Sequence, residues 1–278
     1  MLPFTVHPVG DCALLAGFTQ RIAPEIGAAV AALNSRVLAA KLPGVTETVP
    51  AFASLLVVYD PLVTDYDTLA AALQGLSGAD GADTAAGEGR LVTIPVCYGG
   101  DFGPDLPFVA KHAGLTEAEV IALHTGREYR IYMLGFLPGF PYLGGLDERL
   151  FTPRLNTPRT AIPAGAVGIG GEQTGIYPMA CKLAGTPLQM RRGADILSDG
   201  IVPGSVQVSA DGQPIVMLAD HQTMGGYAKI ATVISADLPA LAQLRPGQRV
   251  CFTFVTPSRA VQAARQQAAL WQRARDRL

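Results

Sequence analysis

The chain has 278 residues, of which 49% are hydrophobic and only 16% are charged, and its formal net charge is −2 at pH 7. That charged fraction is well below the roughly 25% of an average soluble domain, which favours tight domain contacts, a partner protein or self-association. The length allows two domains or one large one. The slightly acidic charge balance excludes a basic surface for nucleic acid. Because no apolar run is long enough to cross a bilayer, no membrane span is predicted.

Strand-like and helix-like patterns alternate in the first 77 residues. Residues 5–18 suggest a strand pair or a strand and turn, 22–41 carry apolar residues at helical spacing, 45–59 are strand-like and 66–76 are helical. This β-α-β-α order predicts a small ferredoxin-like or related α/β sandwich as residues 1–80. The Gly- and Ala-rich stretch 78–89 has the composition of a flexible linker and marks the domain boundary.

A second domain is predicted to begin with a strand at 91–98. Thr116 and Glu119 have the spacing of a capping box, so a helix is expected from there to about His124, ending at Gly126. Residues 128–134 then form a strand that leads into an unusual segment. From Gly135 to Pro178, 15 of 44 residues are glycine or proline, set among aromatic side chains. Because disordered segments lack aromatics, this composition predicts shaped loops between short strands.

Short apolar runs separated by turn residues recur over 196–255 and indicate a β barrel or sandwich. Two stretches of the chain echo each other, with Gly165 in register with Gly204 and Val167 with Val206, which predicts two copies of one strand-loop-strand unit. Residues 257–278 form a closing helix. Its apolar stripe includes Trp271, and its arginines form a solvated face.

Several common site motifs are missing from the sequence. It contains no P-loop, no complete dinucleotide-binding fingerprint and no Gly-x-Ser-x-Gly elbow. The histidines have no metal-ligand spacing, so no metal site is expected; they are His7, His112, His124 and His221. The cysteines form no Cys-x-x-Cys, and without a signal peptide they predict buried, reduced thiols of a cytoplasmic protein; they are Cys12, Cys97, Cys181 and Cys251.

Two parts of the chain resemble known families. The run His124-Thr-Gly-Arg-Glu-Tyr-Arg-Ile-Tyr-Met-Leu-Gly-Phe-Leu-Pro-Gly-Phe-Pro-Tyr-Leu-Gly, with Thr157-Pro-Arg and 162–178, resembles the B subunit of 5-oxoprolinase, also called allophanate hydrolase subunit 1 or the KipI type. That resemblance covers residues 1–180. Residues 182–256, including Ile196-Leu-Ser-Asp-Gly-Ile-Val-Pro-Gly-Ser-Val-Gln-Val, look like the C-terminal part of the C subunit, the allophanate hydrolase subunit 2 or KipA type.

The resemblance implies an α+β fold, in which the small α/β domain precedes a cyclophilin-like β barrel over 90–256 and a C-terminal helix follows. The chain looks like a shortened B–C fusion without the end of the B barrel and the N-terminal part of C. One hypothesis is that the B-type half (to about 180) and the C-type half (from about 182) close one hybrid barrel, with 225–233 and 244–254 supplying strands. The competing interpretation is a truncated, weakly folded product.

The resemblance also implies a reaction, the ATP-dependent opening of 5-oxo-L-proline to L-glutamate with a separate A subunit of the LamB/YcsF type. ATP, with Mg²⁺, would phosphorylate the lactam carbonyl and make attack by water feasible, which chiefly requires positioning and positive charge around the phosphate. Two alternatives stay open. One is a regulator that inhibits a sensor histidine kinase, as proposed for some KipI-type proteins, and the other is a carboxyltransferase-like domain related to urea carboxylase.

The candidate site residues each have a structural alternative. Arg159 and Lys229 are candidate cations or surface residues, and His124 is a candidate for proton transfer or a helix cap. The backbone amides of 168–175 are candidate phosphate donors. The remaining candidates for substrate or nucleotide binding are turn formers or pocket wall on the alternative interpretation; they are Gly170, Gly171, Gln173, Thr174, Phe136 and Phe140.

Overall fold

The computed structural model describes the chain in nine ranges, which carry all of the structural statements below. They are residues 2–77, 91–136, 140–155, 161–177, 181–182, 195–208, 214–218, 221–243 and 252–276. The predicted linker at 78–89 and the candidate cation Arg159 lie outside these ranges.

The N-terminal domain is a two-layer sandwich of one antiparallel sheet and two helices. Its sheet has the order β1-β2-β4-β3, and its elements are β1 (Thr5–Val9), β2 (Ala13–Gly17), α1 (Pro24–Ala40), β3 (Val45–Pro50), β4 (Ser54–Tyr59) and α2 (Tyr66–Ser77). The sandwich confirms the mixed α/β class. Its element order is β-β-α-β-β-α, which differs from the β-α-β-β-α-β order of a ferredoxin-like fold.

The apolar pattern explains why these elements form. The central strand β4 is buried along nearly its whole length, and α1 begins at Pro24, a residue suited to the first helical turn. One face of α1 packs on the sheet through residues at helical spacing; the buried ones are Ile26, Ala29, Val30, Leu33 and Val37. The single strand-like run predicted at 45–59 is two strands, because Ala51–Ser54 closes a hairpin between β3 and β4 (Ala51 N to Ser54 O, 2.8 Å).

A pair of short helices follows, α3 (Leu106–Ala113) and α4 (Glu117–Thr125). The capping box is confirmed, since Thr116 Oγ1 accepts from Glu119 N at 3.2 Å and Glu119 Oε2 accepts from Thr116 N at 2.8 Å. The helix α3 was not predicted. The strand predicted at 91–98 is wrong: the segment is irregular, and its apolar side chains at Leu91, Val92 and Ile94 are more than half exposed. Pro95 offers no amide to a ladder there.

After α4 the described residues form mainly β structure, in two four-stranded antiparallel sheets and one short strand pair. The B-type sheet has the order β5-β6-β9-β8, the C-type sheet has the order β11-β14-β12-β13, and β10 pairs with β7. These strands are β5 (Arg130–Leu134), β6 (Pro141–Gly144), β7 (Ala161–Ile162), β8 (Val167–Gly170), β9 (Gln173–Ile176), β10 (Cys181–Lys182), β11 (Asp195–Gly200), β12 (Ser205–Val208), β13 (Pro214–Val216) and β14 (Met224–Thr232). The helices α5 (Leu238–Ala242) and α6 (Pro257–Arg275) follow in the ranges 221–243 and 252–276.

The internal repeat is confirmed in atomic detail. Gly165 and Gly204 both have positive φ, +83° and +89°, and each opens a β-hairpin. The amide of Gly165 donates to Tyr177 O at 2.7 Å, and that of Gly204 donates to Met217 O at 2.6 Å. The return bonds also match, from Tyr177 N to Ala166 O and from Met217 N to Ser205 O, both at 2.9 Å. The two halves therefore contain copies of one strand-loop-strand unit.

The two equivalent glycines are predicted to differ in their tolerance of alanine. A Cβ at Gly204 would lie 2.5 Å from Val233 O, whereas at Gly165 it would meet nothing within 4 Å. We expect Gly165→Ala to lower the free energy of unfolding by about 1 kcal/mol through its positive φ alone. Gly204→Ala should cost about 2 kcal/mol, because a backbone collision adds to that strain. Urea unfolding checks this, and equal losses in both variants would contradict it.

The C-type half packs into the same core as the rest of the chain. One apolar cluster joins the N-terminal sheet to both other sheets; its buried members are Ala13, Val49, Ala51, Phe52, Leu56, Met133, Phe140, Tyr142, Val202 and Met224. Buried Asp11 also accepts from the amide of Ser235 at 3.0 Å. This shared core favours joint folding over the truncated-product interpretation. The strand β14 pairs with β11 and β12 rather than with the B-type sheet, so closure into one hybrid barrel stays a prediction.

Two smaller expectations need correction. Trp271 is 63% exposed, and the buried residues of α6 are instead Ala260 and Ala264 in its N-terminal half. Gln267 Nε2 on the same helix donates to Ala236 O at 2.8 Å. Cys97 is exposed rather than buried, since it lies in the irregular 91–98 segment. Among the helices in the described ranges, none is both long and apolar enough to cross a membrane.

Candidate functional site

The candidate site lies where the B-type hairpin β8–β9 meets the C-type strand β11. The buried side chain of Gln173 joins them, donating from Nε2 to Ile196 O at 3.2 Å and accepting at Oε1 from Ser198 N at 3.0 Å. A side-chain amide thus links the B-type hairpin to the backbone of the C-type strand β11. We call this place the junction site, made of Tyr142, Arg154, Gly170, Gln173 and Ser198 with the residues that contact them.

The glycine-rich segment folds as a regular hairpin. Gly168 pairs with Gly175 and Gly170 with Gln173, and the Gly171 amide donates to Thr152 O at 2.8 Å. Thr174 is buried and donates from Oγ1 to Gly168 O at 2.8 Å. Gly170, Gly171, Gln173 and Thr174 thus lie in one hairpin, and their role in binding a substrate or nucleotide stays a prediction. Because the Gly171 amide already has an acceptor, its role as a phosphate donor stays a prediction.

Aromatic rings form one wall next to the hairpin. Phe140 lies edge-on to Phe136 and to Tyr177, with ring centroids 5.5 Å and 5.1 Å apart. Phe136 has a positive φ of +65°, a strained conformation for a bulky residue. A Cβ at Gly175 would lie 2.5 Å from the Phe140 ring, so glycine is required for this close approach. Both predicted phenylalanines are therefore neighbours of the predicted hairpin.

Arg154 supplies a half-buried cation to the junction, and the sequence did not single it out. Its guanidinium lies 5.7 Å from the centre of the Tyr227 ring. A Cβ at Gly170 would be 3.3 Å from Arg154 Nε, and one at Gly226 would collide with the guanidinium. Glycines from both halves thus make room for this side chain. Its only sequence signal was to be one of six charged residues within the glycine- and proline-rich segment.

Two hydroxyl groups complete the junction. Burial raises the pKa of Tyr142 to about 12, against the opposing effect of the nearby Ser198 hydroxyl and the Arg154 guanidinium. Ser198 is 2% exposed, and its Oγ makes no hydrogen bond of good geometry to any described residue. The phenol is therefore protonated at neutral pH, and the buried serine hydroxyl has unused hydrogen-bonding capacity.

His124 lies apart from the junction, in the cluster formed by the two short helices. Its Nδ1 is 2.6 Å from the Tyr98 hydroxyl, and its carbonyl accepts from the Tyr129 hydroxyl at 2.9 Å. Burial lowers the pKa of His124 below its ordinary value. The imidazole is thus neutral and held by a tyrosine near the end of α4, as a helix-end residue or a proton-transfer group would be. Its catalytic role stays a prediction.

Lys229 forms an ion pair within the C-type sheet, and a hydrogen bond connects that pair to the N-terminal domain. Its Nζ lies 3.0 Å from Asp199 Oδ2 and donates to Gly200 O at 2.8 Å. Asp199 Oδ1 accepts from the hydroxyl of Ser54 on β4. This geometry provides a structural role for the lysine that was predicted to act as a cation on phosphate, and the catalytic prediction remains untested by it.

Two family models match the chain in succession. The carboxyltransferase domain, subdomain C and D, matches residues 4–181, and the carboxyltransferase domain, subdomain A and B, matches residues 177–254. The boundary between them falls where the B-type half was predicted to give way to the C-type half. The fold and the junction therefore define a carboxyltransferase-domain protein assembled from two parts.

Similarity to individual proteins narrows this class. The chain is 41% identical to the 5-oxoprolinase B subunit of Bacillus subtilis over 207 residues, which are 68% of this chain and 85% of that protein. It is 46% identical to the 5-oxoprolinase C subunit of Haemophilus influenzae over 87 residues, 31% of this chain and 28% of that protein. The chain belongs to the family of 5-oxoprolinase B subunits and carries a C-type segment as in a B–C fusion. Its match to the B subunit of Escherichia coli O157:H7 spans 43% of that protein.

Solved structures agree with the assignment of the fold. The crystal structure of TTHA0988 is 40% identical, with a TM-score of 0.50 over 61% of this chain and 33% of that one. The urea carboxylase of Kluyveromyces lactis is 18% identical, with a TM-score of 0.50 over 64% of this chain and 18% of that one. At that identity, the second likeness is one of fold alone.

Proposed function

We propose that this chain is a component of an ATP-dependent 5-oxoprolinase that opens 5-oxo-L-proline to L-glutamate. The observation that carries the proposal is the 41% identity to a protein named as the B subunit of 5-oxoprolinase, 85% of which this chain covers. Similarity to proteins named as the C subunit over the remaining part supports the same activity. Because the relatives are named as subunits, we propose a separate A subunit of the LamB/YcsF type as the partner, in the cytoplasm.

The chemistry needs an activated carbonyl. A lactam resists water, and phosphorylation of its oxygen by ATP, which releases ADP, makes the ring carbon a better electrophile. Water adds to that carbon, and the C–N bond then breaks with a proton passing to the nitrogen, which opens the ring to an acyl phosphate. A second water hydrolyses the acyl phosphate to glutamate and phosphate. No group of three or more His, Cys, Asp or Glu side chains comes together in the described ranges. Mg²⁺ is proposed to arrive with ATP, held by its phosphates and by water molecules. Neutral His124 is proposed to accept a proton, and Lys229 and Arg159 to offset phosphate charge.

The first test measures glutamate released from 5-oxoproline by the full chain, alone and with an A-type partner, with and without ATP and Mg²⁺. We expect release that requires ATP. His124→Ala should lower the turnover number at least about 100-fold, in the range of general acid–base contributions. His112→Ala, at an exposed histidine of α3, is the matched control and should leave the rate unchanged. A folded chain that releases no glutamate with ATP and partner would refute the proposal.

The two alternatives have weaker support. The likeness to urea carboxylase is one of fold and brings no carboxyl-transfer reaction with it. A regulatory role on a histidine kinase rests on the KipI-type resemblance alone. The same assay distinguishes both alternatives from the 5-oxoprolinase proposal, because neither predicts ATP-dependent release of glutamate.

A further inference from the structure

We infer that Arg154 binds the carboxylate of the lactam substrate at the junction site, with the hydroxyls of Tyr142 and Ser198 beside it. This inference rests on the proposed function, since it identifies which part of 5-oxoproline the site recognises. The ligand class is a small cyclic amide with an adjacent carboxylate, and the carboxylate is the group that Arg154 recognises.

The first support is the way the two halves are shaped around the guanidinium. Gly170 belongs to the B-type hairpin and Gly226 to the C-type strand β14, and a side chain at either position would press on or collide with Arg154. The Tyr227 ring lies 5.7 Å from the guanidinium carbon and favours a cation at this place. A planar guanidinium held in this way suits bidentate binding of a carboxylate better than a flexible lysine does.

The second support is the pair of hydroxyls. Burial raises the pKa of Tyr142 to about 12, so its phenol keeps its proton and can donate to an anion at neutral pH. Ser198 Oγ is buried and makes no hydrogen bond of good geometry to a described residue. A buried hydroxyl without a partner is costly, and a carboxylate oxygen that accepts its proton would remove that cost.

The residues of the junction site come from both halves of the chain. Tyr142, Arg154 and Gly170 come from the B-type half, whereas Ser198 and Gly226 come from the C-type half. Neither half alone contains the whole set. Recognition of the carboxylate is therefore a property of the joined chain.

The test compares binding of 5-oxoproline with binding of 2-pyrrolidinone, the same lactam ring without the carboxylate, to the full chain by isothermal titration calorimetry. We expect the unmodified chain to bind 5-oxoproline at least about 10-fold more tightly, equivalent to about 1.4 kcal/mol. Arg154→Gln should remove that preference and leave 2-pyrrolidinone binding unchanged. Arg21→Gln, at an exposed arginine paired with Glu25, is the matched control and should keep the preference.

If Arg154→Gln unfolds the chain, Ser198→Ala provides a second test, because this substitution removes one hydroxyl and little volume. It should weaken 5-oxoproline binding about 3- to 10-fold, within the range of one hydrogen bond to a charged group, and spare 2-pyrrolidinone. A folded Arg154→Gln variant that still binds 5-oxoproline more tightly than 2-pyrrolidinone would overturn the inference and leave the 5-oxoprolinase proposal unaffected. A chain that shows ATP-dependent glutamate release but no preference for the carboxylate would also overturn it. Absence of glutamate release would instead refute the proposed function.

Discussion

Replacing Lys229 by methionine is expected to lower the free energy of unfolding by about 3–5 kcal/mol. The lysine Nζ lies 3.0 Å from Asp199 Oδ2, and the two side chains are only 17% and 15% exposed. Without the lysine, the carboxylate would keep the Ser54 hydroxyl but lose its counter-charge in a place largely shielded from water. Breaking one member of a buried pair is costly for this reason. Urea unfolding followed by circular dichroism measures the loss.

Arg21→Met is the matched control, because its pair with Glu25 is 60% and 52% exposed and such pairs contribute about 0–1 kcal/mol. The double variant Asp199→Asn/Lys229→Met should recover most of the stability, since it removes both charges. If Lys229→Met loses no more free energy of unfolding than Arg21→Met does, the Lys229–Asp199 pair does not stabilise the fold. The double variant also separates the two roles of Lys229: a stable protein that releases no glutamate would assign the lysine to the reaction.

The N-terminal domain could be predicted from the sequence because its elements lie close together along the chain. The helices α1 and α2 have apolar residues at helical spacing, and β4 is a continuous apolar run. Their partners are one or two elements away. The turn at 51–53 was missed, since Ala, Phe and Ala there continue the apolar pattern through a bend, and the element order is not that of the ferredoxin-like fold.

The segment 91–98 shows where sequence patterns fail. Its composition is strand-like, yet a strand needs a partner, and partners are chosen by the fold as a whole. In the described ranges no strand pairs with it, and most of its side chains are exposed. The helix α3 was missed for a related reason. It is only eight residues long, and its packing against α4 and Leu150 stabilises it more than its own pattern does.

The candidate site was half predictable. Gly170, Gln173, Thr174 and Phe140 lie in one segment whose composition already indicated close packing of backbone and rings. Arg154 and Ser198 could not be placed there, because they are 44 residues apart in sequence and meet only through folding of both halves. The internal repeat, by contrast, was readable because each copy is local, with its positive-φ glycine close to its own hairpin.

Replacing Phe52 by alanine is expected to lower the free energy of unfolding by about 3–5 kcal/mol, the usual cost of emptying a large aromatic site. Phe52 is fully buried in the cluster shared by the three four-stranded sheets, with its ring centroid 5.3 Å from that of Tyr132 and 6.0 Å from that of Tyr142. Because the N-terminal domain supplies this ring and the B-type sheet supplies its partners, the loss should affect one common unfolding transition.

The matched control is Phe102→Ala, at a phenylalanine that is 81% exposed, and it should change stability by less than about 0.5 kcal/mol. Calorimetry of the full chain should show a single transition that moves to lower temperature in Phe52→Ala. Two transitions, with only the N-terminal one shifted, would show that the domains unfold independently and that the shared cluster does not couple them. A single shifted transition would place the B–C fusion and its N-terminal domain in one cooperative unit, because the ring removed from one domain would then destabilise the sheets of the other.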